Sequence, residues 1–542
     1  MSAQKNSRSS IRLPLLISIA IAGGILIGAT VSNNSPKGVA IYNNIQKFKE
    51  ILTYVQRDYV DEVNTDELAE YAIREMLEKL DPHTVYIPAE NVAAAKSELE
   101  GGFDGIGIEF GIFRDTLYVV APINGGPSEQ VGLRSGDKII EVDGENIAGI
   151  GINNYDVYKR LRGHKGTKVN VKIKRDREAA YLDYTIVRDK IPQNTVDVSY
   201  MIDKETGYIK LSRFGTNTYN EFKTALKKLN GMGMKKLVLD LKGNGGGIMQ
   251  RAIEISDEFL DNNQLIVYTK GKDNRYDSEA RARIKGIAED IPLIVLIDQG
   301  SASASEIVSG ALQDNDRALI VGRRSFGKGL VQVPIDLSDG SELRLTISRY
   351  YTPSGRSIQK PYRAEDNDYD QEIYTRLENG EFFHADSVKF NDSLTYRTSG
   401  GRVVYGGGGI MPDYFVPIDT TFNSAFLRSL YVKNLFREYT LNYTSKNEEM
   451  FKEMSLDEFK QDFKISEGMI KDFIALAELS GITFDKAGFD TSKAIILSNI
   501  KAHIGRRIWG EEGYYPIINE HDEILTRAIG LFDKAKALSQ HN

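Results

Sequence analysis

Twice in this chain a nearly continuous apolar run stops at a cluster of small residues and restarts at once as a helix. Residues 236–241 run into Gly243-Asn244-Gly245-Gly246-Gly247, and residues 292–298 run into Gly300-Ser301-Ala302-Ser303-Ala304-Ser305-Glu306. Strands without polar alternation are buried on both faces, and repeated strand-turn-helix units build an α/β domain. That pattern extends over about residues 196–418.

At 542 residues the chain outgrows a single core, and other textures flank the α/β segment. Within residues 38–98, Ile41, Ile45, Phe48, Leu52 and Val55, then Leu68, Ala72, Met76 and Leu80, recur at helical spacing until Asp81-Pro82 ends the pattern. A small helical N-terminal domain is expected there. Residues 99–190 carry short β-rich runs at 116–120, 138–142, 169–173 and 181–187, parted by glycine turns, and read as a compact β domain. Residues 419–542 are helical again, with Leu427, Leu430, Phe436, Ile470, Phe473, Leu525 and Ile529 at helical spacing and no catalytic motif.

Ahead of all this, Lys5, Arg8 and Arg12 precede an uncharged apolar run over residues 13–31. Such a segment predicts an export signal within residues 1–32, kept as a membrane anchor with the basic flank inside. The expected location is the inner membrane, single pass, with the catalytic part on the periplasmic or extracytoplasmic side. A cleaved signal peptide stays open, because Gly28-Ala29-Thr30 offers small residues near a cut. Hydrophobic residues at 41% and charged residues at 27% fit a globular protein, and a net charge of -7 gives no reason to expect nucleic acid. The absence of cysteine excludes disulfides, thiolate metal sites and a cysteine nucleophile.

Three segments carry candidate chemistry. Ser303 falls between a buried strand and a helix start, where unpaired N–H groups stabilise an oxyanion, although serines there also serve as helix caps. Lys328 stands between glycines in Ser325-Phe326-Gly327-Lys328-Gly329-Leu330-Val331-Gln332, so its backbone can enter a crowded site where burial would lower its pKa. Gly322, Gly327 and Lys328 nearly spell a phosphate-binding loop, but Gly329 stands where that loop needs Ser or Thr for magnesium. The glycines 245–247 offer a second set of exposed N–H groups, or simply a tight turn.

In order and spacing these segments resemble the C-terminal processing peptidases, the tail-specific serine proteases of peptidase family S41, over about residues 81–417. The resemblance rests on the run from Gly300 to Glu306, the Gln313-Asp314 pair and the run from Phe326 to Gln332. It implies a crotonase/Clp-protease-like α/β protease core with an inserted PDZ-like β domain and helical N- and C-terminal regions. It further implies Ser303 as nucleophile, Lys328 as general base and Gln332 orienting the lysine. The oxyanion hole would comprise the Ala304 N–H and a glycine N–H, Gly246 foremost; Asp314 would be a supporting acid or a structural one. Lys242, Gly245 and Ser325 depart from the commonest family pattern without removing a needed group. None of the six histidines stands near either catalytic segment in sequence, and His83 looks like a structural element.

Within the β domain, Gly105-Ile106-Gly107-Ile108 and the stretch from Val131 to Asp137 resemble a PDZ domain. A PDZ domain binds the C-terminus of a peptide as an added strand, with loop N–H groups on the carboxylate. The implied function is a serine endopeptidase that cuts exported or periplasmic proteins near apolar C-termini, without metal or cofactor, and with a homo-oligomer or an adaptor left open. The alternative is a non-catalytic PDZ scaffold that retains the protease fold.

Overall fold

The computed structural model describes residues 36–123, 125–176, 178–362, 368–388 and 391–539. It divides into two units, one ending at Leu77 and one starting at Glu78. In the first, the helix Pro36–Asp58 is followed by the helix Thr65–Glu78, which runs to the boundary. Lys37, Lys47, Lys49, Glu50, Arg57 and Asp58 make Pro36–Asp58 too polar for a bilayer.

The membrane placement expected from the sequence is not borne out. Among the described residues no helix is long and apolar enough to cross a membrane, so a single-pass inner-membrane protein with a periplasmic catalytic part is not supported. The run at residues 13–31 lies outside the described residues.

In the second unit the β domain is entered through the strand Gly102–Gly105 and left through Asp189–Pro192, which pair antiparallel with Phe103 opposite Ile191. Between them lies an antiparallel sheet in the order Ile108–Phe113, Thr116–Pro122, Lys138–Val142, Lys168–Lys174, Leu182–Val187. Alternation puts Leu117, Val119, Ile139, Val169, Val171 and Ile173 inward, against Val157 and Leu161 of the helix Asn154–Leu161. Ile108–Phe113 forms one margin of this sheet, its far side unpaired with any described strand.

The α/β core is a six-stranded sheet in the order Val196–Met201, Thr206–Leu211, Lys236–Asp240, Leu293–Ile297, Leu319–Gly322, Tyr414–Phe415. Every neighbouring pair is parallel except the first. Leu237, Leu239, Leu293, Val295 and Ile297 point to one face, where the helices Thr218–Gly231, Met249–Asp257 and Ala304–Asp314 cover them. Val238, Ile294 and Leu296 point to the other, covered by Ile524, Leu525 and Ala528 of the helix Glu523–Ile529 and by Phe532 of Phe532–Ser539. Two covered faces explain why these strands read as unbroken apolar runs. The helices from Ala425–Val432 to Lys486–Trp509 enclose a separate core rich in aromatic side chains, including Phe436, Phe459 and Phe473.

A second, antiparallel sheet flanks the core, in the order Val85–Ile87, Glu342–Tyr351, Leu265–Gly271, Ser278–Arg281. Leu330–Asp336 also pairs with Glu342–Tyr351. The lysine loop therefore connects the parallel sheet to this one, starting just after Gly322 and ending at Leu330.

Candidate active site

Ser303 occupies the bend between the strand Leu293–Ile297 and the helix Ala304–Asp314, at φ 55° and ψ -111°. A positive φ on a residue with a Cβ costs about 1–3 kcal/mol and is tolerated where the surroundings over-determine it. The neighbouring serines supply that constraint. Ser301 Oγ donates to Leu241 O at 2.8 Å, and Ser305 Oγ donates to Asn244 O at 2.8 Å, both side chains fully buried. Their hydroxyls are thus spent on holding the glycine turn, whereas Ser303 is only half-buried.

Glu306 ties this bend to the lysine loop, a role that sequence reasoning missed. Its Oε2 accepts the Ser303 N–H at 2.7 Å and the Lys328 N–H at 2.9 Å. Its Oε1 accepts the Gly327 N–H at 2.7 Å and the Ser325 hydroxyl at 2.5 Å. One oxygen therefore holds the backbones of both candidate dyad residues. Burial pushes the Glu306 carboxyl up to about 7 against the pull of these four donors. The spacing Ser303-x-x-Glu306 is that of a capping box, which is the signal that could have singled it out. Tyr350 closes the same junction from the other side: its buried hydroxyl lies 3.1 Å from Ser303 O and also contacts Lys328 O.

Lys328 is half-buried, and desolvation lowers its pKa below the ordinary lysine value. Asp81 and Glu306 act against that shift and Arg344 acts with it. His83 is the histidine that the fold brings near, since Lys328 is among the charges that disfavour its protonation. Burial is the larger cause, holding His83 at about 4, so it is neutral near pH 7, with Nε2 2.8 Å from the Tyr369 hydroxyl. Gln332 lies on the strand Leu330–Asp336 that follows the lysine loop, but its amide donates to Thr346 Oγ1 at 3.1 Å, and Thr346 Oγ1 bonds Asp81 Oδ1 at 3.1 Å.

Gly246 stands directly against Ser303. At φ 97°, a Cβ there would lie 2.8 Å from Ser303 Cβ and 2.9 Å from Ala304 N, so only glycine fits. Its N–H, however, donates to Asn244 Oδ1 at 2.9 Å, and an oxyanion would have to take it from that oxygen. Asp314 is elsewhere. It sits at the far end of the eleven-residue helix, about 15 Å along the axis from Ser303. There it bonds Arg356 at 2.7 Å with both side chains inaccessible, and Gln313 Oε1 accepts from the same guanidinium at 2.7 Å. The Gln313-Asp314 pair holds the loop from Thr352 to Arg356 rather than the candidate dyad.

Two cavities adjoin these elements. One, of about 360 Å³, lies between the margin strand Ile108–Phe113 and the helix Asn154–Leu161 and is lined by Ile106, Gly107, Ile108 and Val157. The Ile106 carbonyl accepts from Ser128 N at 3.0 Å and Ser128 Oγ at 2.6 Å, which fixes the turn before that strand. The other, of about 330 Å³, is lined by Gly246, Gly247, Phe214 and Arg213 beside Ser303. Phe103, Arg162 and Gln193 line both, so a common wall separates the groove from the bend. Arg162 stacks on Phe103 at 4.6 Å and on Tyr158 at 4.4 Å.

Four family models match parts of the chain. Residues 205–368 match peptidase family S41, residues 118–175 a PDZ domain, and residues 27–91 the N-terminal domain of the activating protease CtpB. Residues 426–510 match a family of unknown function. A carboxy-terminal-processing protease of Bartonella bacilliformis is 37% identical over 339 residues, 62% of this chain and 76% of its own. The carboxy-terminal processing protease CtpB of Bacillus subtilis is 35% identical over 340 residues, 62% of this chain and 68% of its own. Among solved structures, the photosystem II D1 C-terminal processing protease matches at 32% identity over 57% of this chain and 83% of its own, with a TM-score of 0.33.

Proposed function

Because the chain belongs to the PDZ-containing carboxy-terminal-processing proteases of peptidase family S41, we propose that it cuts protein substrates near their C-termini with Ser303 as nucleophile and Lys328 as general base. The observation that carries this reading is the single Glu306 oxygen that accepts the backbone N–H of both residues. Neutral Lys328 takes the proton from Ser303 Oγ as that oxygen attacks the peptide carbonyl carbon. The C–N bond then breaks, the amine leaves with the proton from Lys328, and an ester remains on Ser303. Water, deprotonated by Lys328, hydrolyses the ester and restores the serine.

The negative oxygen of each tetrahedral intermediate would rest on the Ala304 N–H and on the Gly246 N–H once the latter turns from Asn244. Gln332 supports the lysine at two removes, through Thr346 and Asp81. Asp314 is assigned to the structural pair with Arg356. In this reading residues 99–190 capture the substrate's C-terminus, the carboxylate on the Gly105, Ile106, Gly107 and Ile108 turn and the chain added along Ile108–Phe113. Residues 196–418 cut it.

The pH profile tests the base. Lys328 must be unprotonated to act and its pKa is depressed by burial, so kcat/KM is expected to rise with pH to a plateau reached below the range of an ordinary lysine. Glu306 adds to the same limb, because protonation near pH 7 puts an O–H where Ser303, Gly327 and Lys328 present N–H donors. Measured on a short chromogenic peptide, a profile that is flat from about pH 5 to 10, or that falls as pH rises through neutrality, would remove Lys328 as base.

A further inference from the structure

The helical module over residues 426–510 has no part in the chemistry above, yet it supplies a side chain to the PDZ groove. Arg437, near the start of the helix Leu435–Lys446, lines the 360 Å³ cavity and lies 3.7 Å from Glu109 on the margin strand. The module is fastened there at two further points. Arg507 Nη1 donates to Val120 O at 2.7 Å, and Arg114 pairs with Glu438 at 3.2 Å.

Arg506 and Arg507 are carried by a close helix crossing. The helices Lys486–Trp509 and Glu511–Ile518 cross at Gly505 and Gly513, where a Cβ on Gly505 would come within 2.3 Å of Gly513 O. Arg506 and Arg507 follow that crossing directly, and both feel the charge of Glu109. Arg506 also pairs with Glu511 at 2.6 Å. One carboxylate, Glu109, is thus shared by three guanidinium groups, of which Arg506 also has Glu511 and Arg507 also feels Glu448, so Glu109 does not neutralise Arg437 by itself. Arg437 is the member of the trio that lines the cavity.

Strand geometry then says which part of a ligand meets it. Ile108, Phe110 and Ile112 pack on the β-domain core, so Glu109 and Gly111 occupy the opposite face of the strand. A peptide added along this strand with its last side chain toward the helix Asn154–Leu161 places its penultimate and fourth-from-last side chains on the Glu109 face. We propose that Arg437 makes the helical module part of the peptide-binding groove and selects protein C-termini with an acidic residue at the penultimate or fourth-from-last position. This rests on the reading of residues 99–190 as a peptide-binding PDZ domain.

The test uses the full chain carrying Ser303→Ala, so that nothing is cut, and labelled peptides with one apolar last residue. Asp or Lys is placed at the penultimate or the fourth-from-last position, and each peptide is made as free acid and as amide. At low salt the Asp free acids are expected to bind roughly tenfold more tightly than the Lys free acids, a preference that shrinks as salt is raised. Arg437→Glu should reverse the order, and Glu109→Gln, which removes the competing acid, should widen it. If free acids outbind amides but the Asp-to-Lys ratio is the same in the parent, Arg437→Glu and Glu109→Gln, the inference is overturned and the PDZ reading stands. If free acids and amides bind alike, the PDZ reading itself fails.

Discussion

Lys328→Ala is expected to lower kcat/KM on an unfolded protein substrate by about 10⁴-fold, and Ser303→Ala by about 10⁶-fold, with folding intact. The two losses should not add, because each removes the same attacking alkoxide; the double variant is expected to match Ser303→Ala alone. Lys328→Arg separates a base from a fixed charge. A guanidinium keeps the positive field but does not lose its proton near neutrality, so Arg should be as inactive as Ala if Lys328 carries the proton. Steady-state rates with a purified chain and a matched thermal midpoint decide the matter. Substantial activity in Lys328→Arg would sink the general-base role.

The second large effect is expected at Glu306, which touches no substrate and acts through the residues it positions. Glu306→Ala leaves the N–H groups of Ser303, Gly327 and Lys328 and the Ser325 hydroxyl without their acceptor in a dry site. At about 1–3 kcal/mol for each unsatisfied group, partly recovered by water, a loss on the order of 4 kcal/mol in stability is expected. Glu306→Gln is the sharper probe, since it keeps the shape and one oxygen. An amide nitrogen on either side then faces a backbone N–H, so kcat is expected to fall about 10²-fold with KM little changed. Equal kcat in Glu306→Gln and the parent would show that the carboxylate is only a core filler.

Order and spacing carried most of the site. Ser303 and the glycine turn stand at the ends of buried strands, and Lys328 stands between glycines ahead of Leu330–Asp336; a strand-turn-helix junction or a glycine-flanked lysine is legible one-dimensionally because its signals are local. Glu306 closes the serine motif, but its task is not legible there, since three of its four partners, Ser325, Gly327 and Lys328, come from another segment. Tyr350 was invisible for the same reason: it stands in the middle of no motif and meets Ser303 and Lys328 only through sheet pairing. Asp81 and His83, placed in sequence at the end of a helical pattern, fold back to lie in the field of Lys328.

Charge complementarity at a distance was equally hidden. Nothing in the helical spacing of residues 419–542 distinguishes Arg437, which lines the groove of the β domain, from Arg428, which bonds Asn423 and lines a different cavity. The QD pair shows the reverse hazard. Gln313 and Asp314 belong to the recurrent motif, yet the helix carries them away from Ser303 to clamp Arg356. A motif records what a fold needs as readily as what a reaction needs.

The closing of the core sheet by the helices Glu523–Ile529 and Phe532–Ser539 has a consequence for how the enzyme comes into being. A ribosome makes the chain from the N-terminus, so the segments bearing Ser303 and Lys328 emerge some two hundred residues before Ile524, Leu525 and Phe532 can cover Val238, Ile294 and Leu296. Until then the strands that bear the glycine turn and the serine bend have one bare face. Cutting power should therefore arrive late in translation, sparing the nascent chain and its neighbours. Ribosome-stalled chains ending at residue 522 should be inactive, and full activity from them would show that the sheet does not need its second cover.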